Sequence, residues 1–372
     1  MKFLPFLIAL LAASIVLADP PPFDWNRAKE IHARAQRGET LNDEDRKYLD
    51  EAIRRHNAGE PIGGGPAKPA GPTPIPVLQW SGHLTPLTEL KEPYHGQDGG
   101  LYGGGKNDPP PAQAALANQA IAQIQPLDTE GHPTPSGKIA LLSIGMSNTT
   151  MEFSAFVKDA DADPRKAANV IVVDGAQGGK DAPAWSKTDA PPWDVANQRL
   201  TAAGLTPQQV QAIWIKQAIG HPKAGFPAEA ERLRDYLRDI VTLAKQKYPN
   251  LRVAYLSSRI YGGYAVTPLN PEPYAYEGAF AVRWLIDQQI KGDPALNAAP
   301  DKGQVKAPVL LWGPYLWADG QTPRESDHLF YTKDDLGNDG THPAQAARVK
   351  VAHLLTEFFA TNPLAKPWYA KK

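Results

Sequence analysis

The sequence predicts an α/β protein in which a parallel five-stranded sheet lies between two layers of helices. Five short apolar runs, each bounded by turn residues, recur between residues 139 and 312, and such runs are typical of buried strands. Helical patterns separate them, and the longest covers residues 228–247. Alternating strands and helices predict a parallel sheet covered on both faces, and right-handed crossovers then give a three-layer α/β/α sandwich.

The predicted elements follow one another along the second half of the chain. Strands are expected at residues 139–145, 170–173, 212–216, 251–256 and 309–312. Helices are expected at residues 112–124, 228–247, 276–290 and 343–361. The first strand ends at Gly145, and Ser147 follows at the turn.

The composition is that of a globular protein with no nucleic-acid partner. The chain has 372 residues, of which 42% are hydrophobic and 21% charged, so it can build a sizeable core. The formal net charge of −1 gives no footprint for nucleic acid. The absence of cysteine excludes disulfides, a cysteine nucleophile, thiolate metal sites and a lipidated N-terminal cysteine.

The first 18 residues have the pattern of a secretory signal peptide. Lys2 precedes an apolar core over residues 6–16, and Val16-Leu17-Ala18 is a plausible cleavage site. An uncleaved anchor is the alternative, but the core is short against the roughly 20 residues of a membrane span. We therefore expect an exported protein, periplasmic or extracellular, with no stable membrane insertion once the signal is removed.

Two further segments precede the main domain. Residues 19–60 predict a helical hairpin whose second helix has Asn42 as its N-cap and Asp45 three positions later. Residues 61–76 are rich in proline and glycine and predict a linker. The main domain is expected over residues 77–372.

Two patterns resemble ligand sites but depart from them. The stretch from Gly100 to Lys106 has the spacing of a phosphate loop, but Asn107 stands where serine or threonine belongs, so we expect a flexible loop. Asp159, Asp161 and Asp163 alternate with alanine but lack the glycine and glutamate of a calcium loop, which favours a solvated turn. No metal and no cofactor are predicted.

The residues able to carry chemistry fall at one edge of the predicted sheet. Ser147 follows the first strand, Gly175 and Gly178 the second, and Lys216 and Gln217 the third. Asp339 and His342 precede the last helix. The carboxyl ends of parallel strands form the ligand-binding edge of open α/β sheets, and serine, histidine and aspartate are the parts of a nucleophilic triad. The alternative is that these residues only cap helices or form turns.

This order of residues resembles the SGNH hydrolases, also called GDSL esterases, over residues 138–359. In that family, four blocks place a serine after strand one, a glycine after strand two, an asparagine after strand three and D-x-x-H before the last helix. Asp339 to Pro343 matches the last block closely, and Val173 to Gly178 matches the second. Gly145-Met146-Ser147 replaces G-D-S, and Lys216-Gln217-Ala218 replaces G-x-N-D.

The resemblance implies a flavodoxin-like fold and a serine esterase mechanism, as in exported bacterial members of the family. Ser147 would be the nucleophile and His342 its base, with Asp339 holding the imidazole tautomer. The backbone N–H groups of Ser147 and Gly178 and the side chain of Gln217 would bind the oxyanion. Lys216 competes with Gln217 for that place, because neighbours on a strand point to opposite faces.

Aromatic residues in the loops extend the prediction to the substrate. Trp193, Tyr264 and Trp317 lie in Pro- or Gly-rich stretches after strands, so a cleft lining is one prediction for them and packing in the core or at its rim is the other. Export and these aromatics favour esterified carbohydrate, or another small ester, as substrate. The alternative function is a carbohydrate- or surface-binding protein on the same fold with little or no activity, which the departures at Met146 and Lys216 favour.

Overall fold

The computed structural model describes residues 23–36, 39, 41–57 and 80–371. The chain divides into two compact units, Met1–Thr73 and Pro74–Lys372, which are described in turn. The predicted signal peptide over residues 1–18 and the predicted linker over 61–76 lie outside the described residues.

The first unit contains two helices, α1 (Trp25–Gln36) and α2 (Asp43–Asn57), as the sequence predicts. Asn42 caps α2, because its Oδ1 accepts the backbone N–H of Asp45 at 2.8 Å. The helices share a small buried cluster of Trp25, Ala28 and Ala52, against which Phe23 and Tyr48 pack.

The second unit is built on a five-stranded parallel sheet. Its strands are β1 (Ile139–Gly145), β2 (Val170–Val173), β3 (Val210–Lys216), β4 (Val253–Ser257) and β5 (Val309–Trp312). They pair in the order β2-β1-β3-β4-β5, and every pairing is parallel. This is the flavodoxin-like order, and it confirms the predicted fold class.

The apolar runs arise because the sheet is covered on both faces. All residues of β1, β3, β4 and β5 are buried, as are all but one of β2, so no strand shows a polar face. This covering comes from helices in both outer layers, most of which follow a strand. The helices are α3 (Pro111–Ile121), α4 (Ser147–Ala162), α5 (Ala182–Trp185), α6 (Pro191–Ala202), α7 (Ala228–Lys247), α8 (Tyr274–Ile290), α9 (Gln345–Thr361) and α10 (Lys366–Tyr369).

Right-handed crossovers assign these helices to two layers. The chain leaves β1 toward β2 in one direction and crosses from β3 to β5 in the other, so α4 lies on the face opposite α7 and α8. The packing agrees, because α4 packs on α9 while α7 packs on α8. The direction changes between β1 and β3, which makes their carboxyl ends the switch point where such sheets bind ligands.

Helix α6 is missing from the sequence prediction, which is wrong in treating Trp193 as a loop residue. The helix begins at Pro191, and Pro at the first helical position fits the backbone there. Its buried residues Trp193, Ala196 and Leu200 have helical spacing. The helix α9 also begins two residues later than predicted, because Pro343 pairs with Leu336 in an isolated β-bridge.

The edge strand β5 is covered by the segment that precedes α3. Trp312 donates its indole N–H to the carbonyl of Leu101 at 2.6 Å, and its backbone N–H reaches the hydroxyl of Tyr102 at 3.2 Å. The glycine-rich stretch forms hydrogen-bonded turns, in which Gly104 donates its N–H to the carboxylate of Asp98 at 2.5 Å. The predicted flexible loop is therefore a set of hydrogen-bonded turns. The Asp98 carboxylate accepts the Gly104 N–H, so that amide is not available to a phosphate.

The alternating aspartates lie in the last turn of α4 and just beyond it, not in a solvated turn, and two of them make ion pairs. Asp163 pairs with Arg165 at 2.8 Å, and Asp161 pairs with Lys166 at 3.5 Å. Over the described ranges, no group of three or more histidine, aspartate or glutamate side chains is arranged to hold a metal ion. None of the helices described here combines the length and the apolar character that a membrane crossing requires.

Candidate active site

Ser147 is the first residue of α4, directly beyond the carboxyl end of β1. The turn needs glycine at 145, because a Cβ there would lie 2.4 Å from the side chain of Thr149. Thr149 accepts the N–H of Met146 at 3.3 Å and donates its hydroxyl to the carbonyl of Lys216 at 2.7 Å. These bonds fix the start of α4 to the end of β3 and leave the Ser147 side chain half-buried at the sheet edge.

The Asp339–His342 turn is shaped by one carboxylate and one glycine. Oδ1 of Asp339 accepts the backbone N–H groups of Thr341 and His342, each at 3.0 Å. Gly340 has φ of +64°, and a Cβ there would lie 1.7 Å from the carbonyl oxygen of Tyr264. Because only glycine fits that approach, the turn packs directly against the segment that follows β4.

The structure brings the three predicted triad residues into one hydrogen-bonded chain. Nε2 of His342 lies 2.8 Å from Oγ of Ser147, and Nδ1 of His342 is hydrogen-bonded to Oδ2 of Asp339. A carboxylate only accepts, so Nδ1 carries the proton and Nε2 is left to accept the hydroxyl of Ser147. A hydroxyl, an imidazole and a carboxylate therefore stand in the order that proton transfer from a serine requires.

Asp339 is held in its ionised form. Burial acts to raise the pKa of Asp339, but hydrogen bonds from the ring and backbone of His342 and from the Thr341 N–H outweigh it. The pKa therefore lies well below its usual range. An anion at this place can fix the imidazole tautomer and stabilise an imidazolium.

The loop after β2 carries Gly178 and is anchored by the half-buried carboxylate of Asp174. Asp174 accepts the hydroxyls of Ser143, Thr150 and Ser154 at 2.6, 2.5 and 2.8 Å. Burial raises the pKa of Asp174 in spite of these bonds. In the part of the chain that is described, the N–H groups of Ser147 and Gly178 donate to no other protein group, so both can serve a ligand.

Lys216 and Gln217 leave β3 in different directions. Lys216 is fully buried and pairs with Glu152 of α4, also fully buried, and burial lowers the pKa of Lys216 to about 8. Gln217 lies against the loop that carries Gly178, with Nε2 3.4 Å from the carbonyl of Lys180. Its Oε1 is buried and accepts no hydrogen bond from any residue that the structure describes. The ammonium of Lys216 is therefore paired with Glu152. Gln217 is the residue of the two whose side-chain amide lies beside the loop that carries Gly178.

Two of the three candidate cleft aromatics belong to the core, so the cleft prediction is wrong for them and the core alternative holds. Trp193 and Trp317 are both 0% exposed. Trp193 packs edge-on against Trp185, and Trp317 donates its indole N–H to Glu272 at 2.6 Å. A bulky ring in Pro- or Gly-rich sequence fits either place, and both rings belong to the hydrophobic core.

Tyr264 does line an open groove. The groove has a volume of about 660 Å³ and runs along the Asp339 turn, with Trp80, Tyr261 and Val266 on its walls and Gly337 and Gly340 beside the turn. The hydroxyl of Tyr264 donates to the carbonyl of Tyr331 at 3.0 Å, which fixes the ring.

Sequence reasoning missed the charges beneath the site. Arg259 is buried close to Glu152 and Asp339, and burial lowers the pKa of its guanidinium. Lys216 at the end of the apolar run Ala-Ile-Trp-Ile was the available signal, because a lysine buried there needs an anion. The partner could not be named from sequence, since Glu152 lies 64 residues away.

Comparisons with known proteins return structures only. No protein-family model and no curated protein matches the sequence. A Bacteroides fragilis protein assigned as an acylhydrolase is 13% identical, with a TM-score of 0.34 over 67% of this chain and 97% of its own.

Two further structures show a similar degree of likeness. A carbohydrate esterase family 2 enzyme plus carbohydrate-binding domain from Corynascus thermopiles is 12% identical, with a TM-score of 0.33 over 62% of this chain and 68% of its own. The periplasmic domain of a lipopolysaccharide acetyltransferase from Salmonella ser. Paratyphi A is 13% identical, with a TM-score of 0.31 over 67% and 93%. These likenesses concern the fold alone.

The buried Lys216–Glu152 pair predicts an asymmetric response to mutation. Glu152→Gln leaves the ammonium buried without its anion and should lower the free energy of unfolding by about 3–5 kcal/mol. Glu152→Leu combined with Lys216→Met removes both charges and should cost less than either single change. Urea denaturation measures these free energies.

A matched control is Asp287→Asn, which breaks the exposed 2.5 Å pair with Lys291 on α8. It should cost no more than about 0.5 kcal/mol. A Glu152→Gln protein as stable as the control would mean that Lys216 is not charged in the folded state.

Proposed function

We propose that this protein is an exported serine esterase of the SGNH hydrolase type that hydrolyses carboxylic esters. The observation that carries the proposal is the hydrogen-bonded chain from Ser147 through His342 to Asp339. It lies at the switch point of a flavodoxin-like sheet, where ligands bind in such folds.

Acylation begins with Oγ of Ser147. Oγ attacks the ester carbonyl carbon while its proton passes to Nε2 of His342, and the imidazolium is stabilised by the Asp339 carboxylate. The tetrahedral intermediate then collapses, and the alcohol leaves with the proton from Nε2. In the second half, a water molecule gives a proton to Nε2 and attacks the acyl-serine carbonyl. The Oγ–acyl bond then breaks, Oγ takes the proton back from Nε2, and the carboxylic acid is released.

The negative charge on the carbonyl oxygen would be met by three donors. The N–H groups of Ser147 and Gly178 have no protein acceptor in the described chain, and Nε2 of Gln217 has a second hydrogen besides the one facing Lys180. A donor of this kind is typically worth about 3 kcal/mol in the transition state. The three replace the donors of the family pattern, with glutamine in place of asparagine.

We infer that the substrate is an acyl ester on a carbohydrate. The signal-like residues 1–18 support export, where extracellular and cell-surface glycans are available. The groove with Trp80, Tyr261 and Tyr264 supports the sugar part, because aromatic rings present flat apolar faces to a ring-shaped ligand.

Ser147→Ala should lower kcat/KM for p-nitrophenyl acetate by about 10⁴-fold or more, because the nucleophile is lost. His342→Ala should have a similar effect, since serine then has no base. Ser136→Ala and His353→Ala are matched controls at exposed positions and should hydrolyse the ester at the wild-type rate. Release of p-nitrophenol is followed by absorbance.

Retained hydrolysis in Ser147→Ala would remove the proposed mechanism. A folded wild-type protein without hydrolysis on acyl esters of different length would favour the alternative, a carbohydrate-binding protein with the same fold. Retention on insoluble acetylated polysaccharide would then be the property to measure.

Gln217→Ala should lower kcat by about 10²–10³-fold with little change in KM, because the oxyanion forms only in the transition state. Gln217→Asn should be intermediate, since its amide stops one methylene short. Gln119→Ala, at an exposed position of α3, is the control for the same truncation. Wild-type kcat in Gln217→Ala would leave the two backbone donors as the whole oxyanion site.

A further inference from the structure

Asn148 joins the two halves of the candidate active site. It follows Ser147 on α4, and its Nδ2 donates to the carbonyl of Thr341 at 2.7 Å. Thr341 precedes His342 in the turn. One hydrogen bond therefore connects the neighbour of the nucleophile to the neighbour of the base. Both groups are buried, with Asn148 1% and Thr341 0% exposed.

The side chain of Asn148 is not used to cap its helix. Met146 occupies the N-cap position of α4, and Thr149 accepts the Met146 N–H. Helix capping therefore does not explain this residue. Its amide orientation is also settled, because only Nδ2 can face a carbonyl oxygen.

The site needs such a connection because its parts come from distant places. Ser147 and His342 are separated by 195 residues and lie on different elements. Asp339 orients the His342 ring only within their shared turn. The distance between that turn and α4 depends on the hydrogen bonds that connect them. The hydrogen bond from Asn148 is short and shielded from water.

A second side chain reaches the same carbonyl but at the limit of a hydrogen bond. Nη2 of Arg259 lies 3.5 Å from the Thr341 oxygen. The carbonyl is thus held mainly by Asn148. Loss of the Asn148 donor would leave a buried acceptor with one long contact, which weakens the hold on the His342 turn.

We propose that Asn148 is a positioning residue, which sets the distance between Oγ of Ser147 and Nε2 of His342. This inference rests on the proposed esterase function. Its amide also places Oδ1 3.5 Å from Oγ of Ser147, too far to compete with Nε2 at 2.8 Å. A carboxylate at position 148 would have the same shape, no donor for Thr341 and a stronger pull on the serine proton.

Asn148→Asp conserves volume and removes the donor, while Asn148→Ala removes the donor without adding a charge, so a loss of kcat in both variants separates positioning from packing and from charge. We expect kcat for p-nitrophenyl acetate to fall by about 10–100-fold in both Asn148→Ala and Asn148→Asp, with KM within about twofold of wild type, as for a small misplacement of reacting groups. The acid limb of the pH profile of kcat/KM should stay in place in Asn148→Ala, since Asp339 still holds His342. Asn118→Asp, exposed on α3, is the control for the same chemical change.

The outcomes are distinguishable. A merely structural role would lower the melting temperature and leave kcat near wild type in the isosteric Asn148→Asp variant, which would overturn the inference. An acid limb displaced in Asn148→Ala would also overturn it, because the residue would then act on the Asp339–His342 pair. A wild-type protein with no Ser147-dependent hydrolysis would remove the proposed function, and this inference with it. Wild-type hydrolysis lost in Ser147→Ala but unchanged in both Asn148 variants would remove the inference alone.

Discussion

The pairing of β1 with β3 is the constraint on which the rest of the site depends. It places Gly145 opposite Lys216 at the carboxyl ends of the two central strands. From there, the chain turns into Ser147 on one strand and into Gln217 on the other. Thr149 ties the two ends together through the Lys216 carbonyl. A shift of this register would separate the proposed nucleophile from the loop that carries its proposed oxyanion donor.

Buried charged side chains lie beneath the site. Hydrophobic residues of similar volume in their place would often leave the protein equally or more stable. Lys216 and Glu152 are fully buried, and Arg259 is buried close to them. Pairs of this kind contribute little net stability, but removal of one partner leaves an uncompensated charge. Their placement between α4 and the ends of β3 and β4 restricts how these elements can pack. This arrangement favours a single position for the start of α4, where Ser147 lies.

The sheet and the proximity of Ser147, His342 and Asp339 could be predicted from the sequence for physical reasons. Strands buried on both faces are continuous apolar runs, so β2 and β5 were located to the residue. Parallel strands end at one edge, so Ser147 and His342 could be expected to meet. The burial of Trp193 and Trp317 could not be predicted, because the local sequence around a large aromatic residue does not distinguish a core position from a cleft position. Asn148 was not found because its partner, the Thr341 carbonyl, is set by tertiary packing alone.

The proposed mechanism requires Ser147 to act as a covalent nucleophile. Mass spectrometry of protein quenched in acid within the first turnovers of a p-nitrophenyl ester measures this directly. We predict a mass increase equal to one acyl group, located by peptide mapping on Ser147 and absent from Ser147→Ala. Turnover with no acyl-protein, or with the acyl group on a different residue, would contradict it.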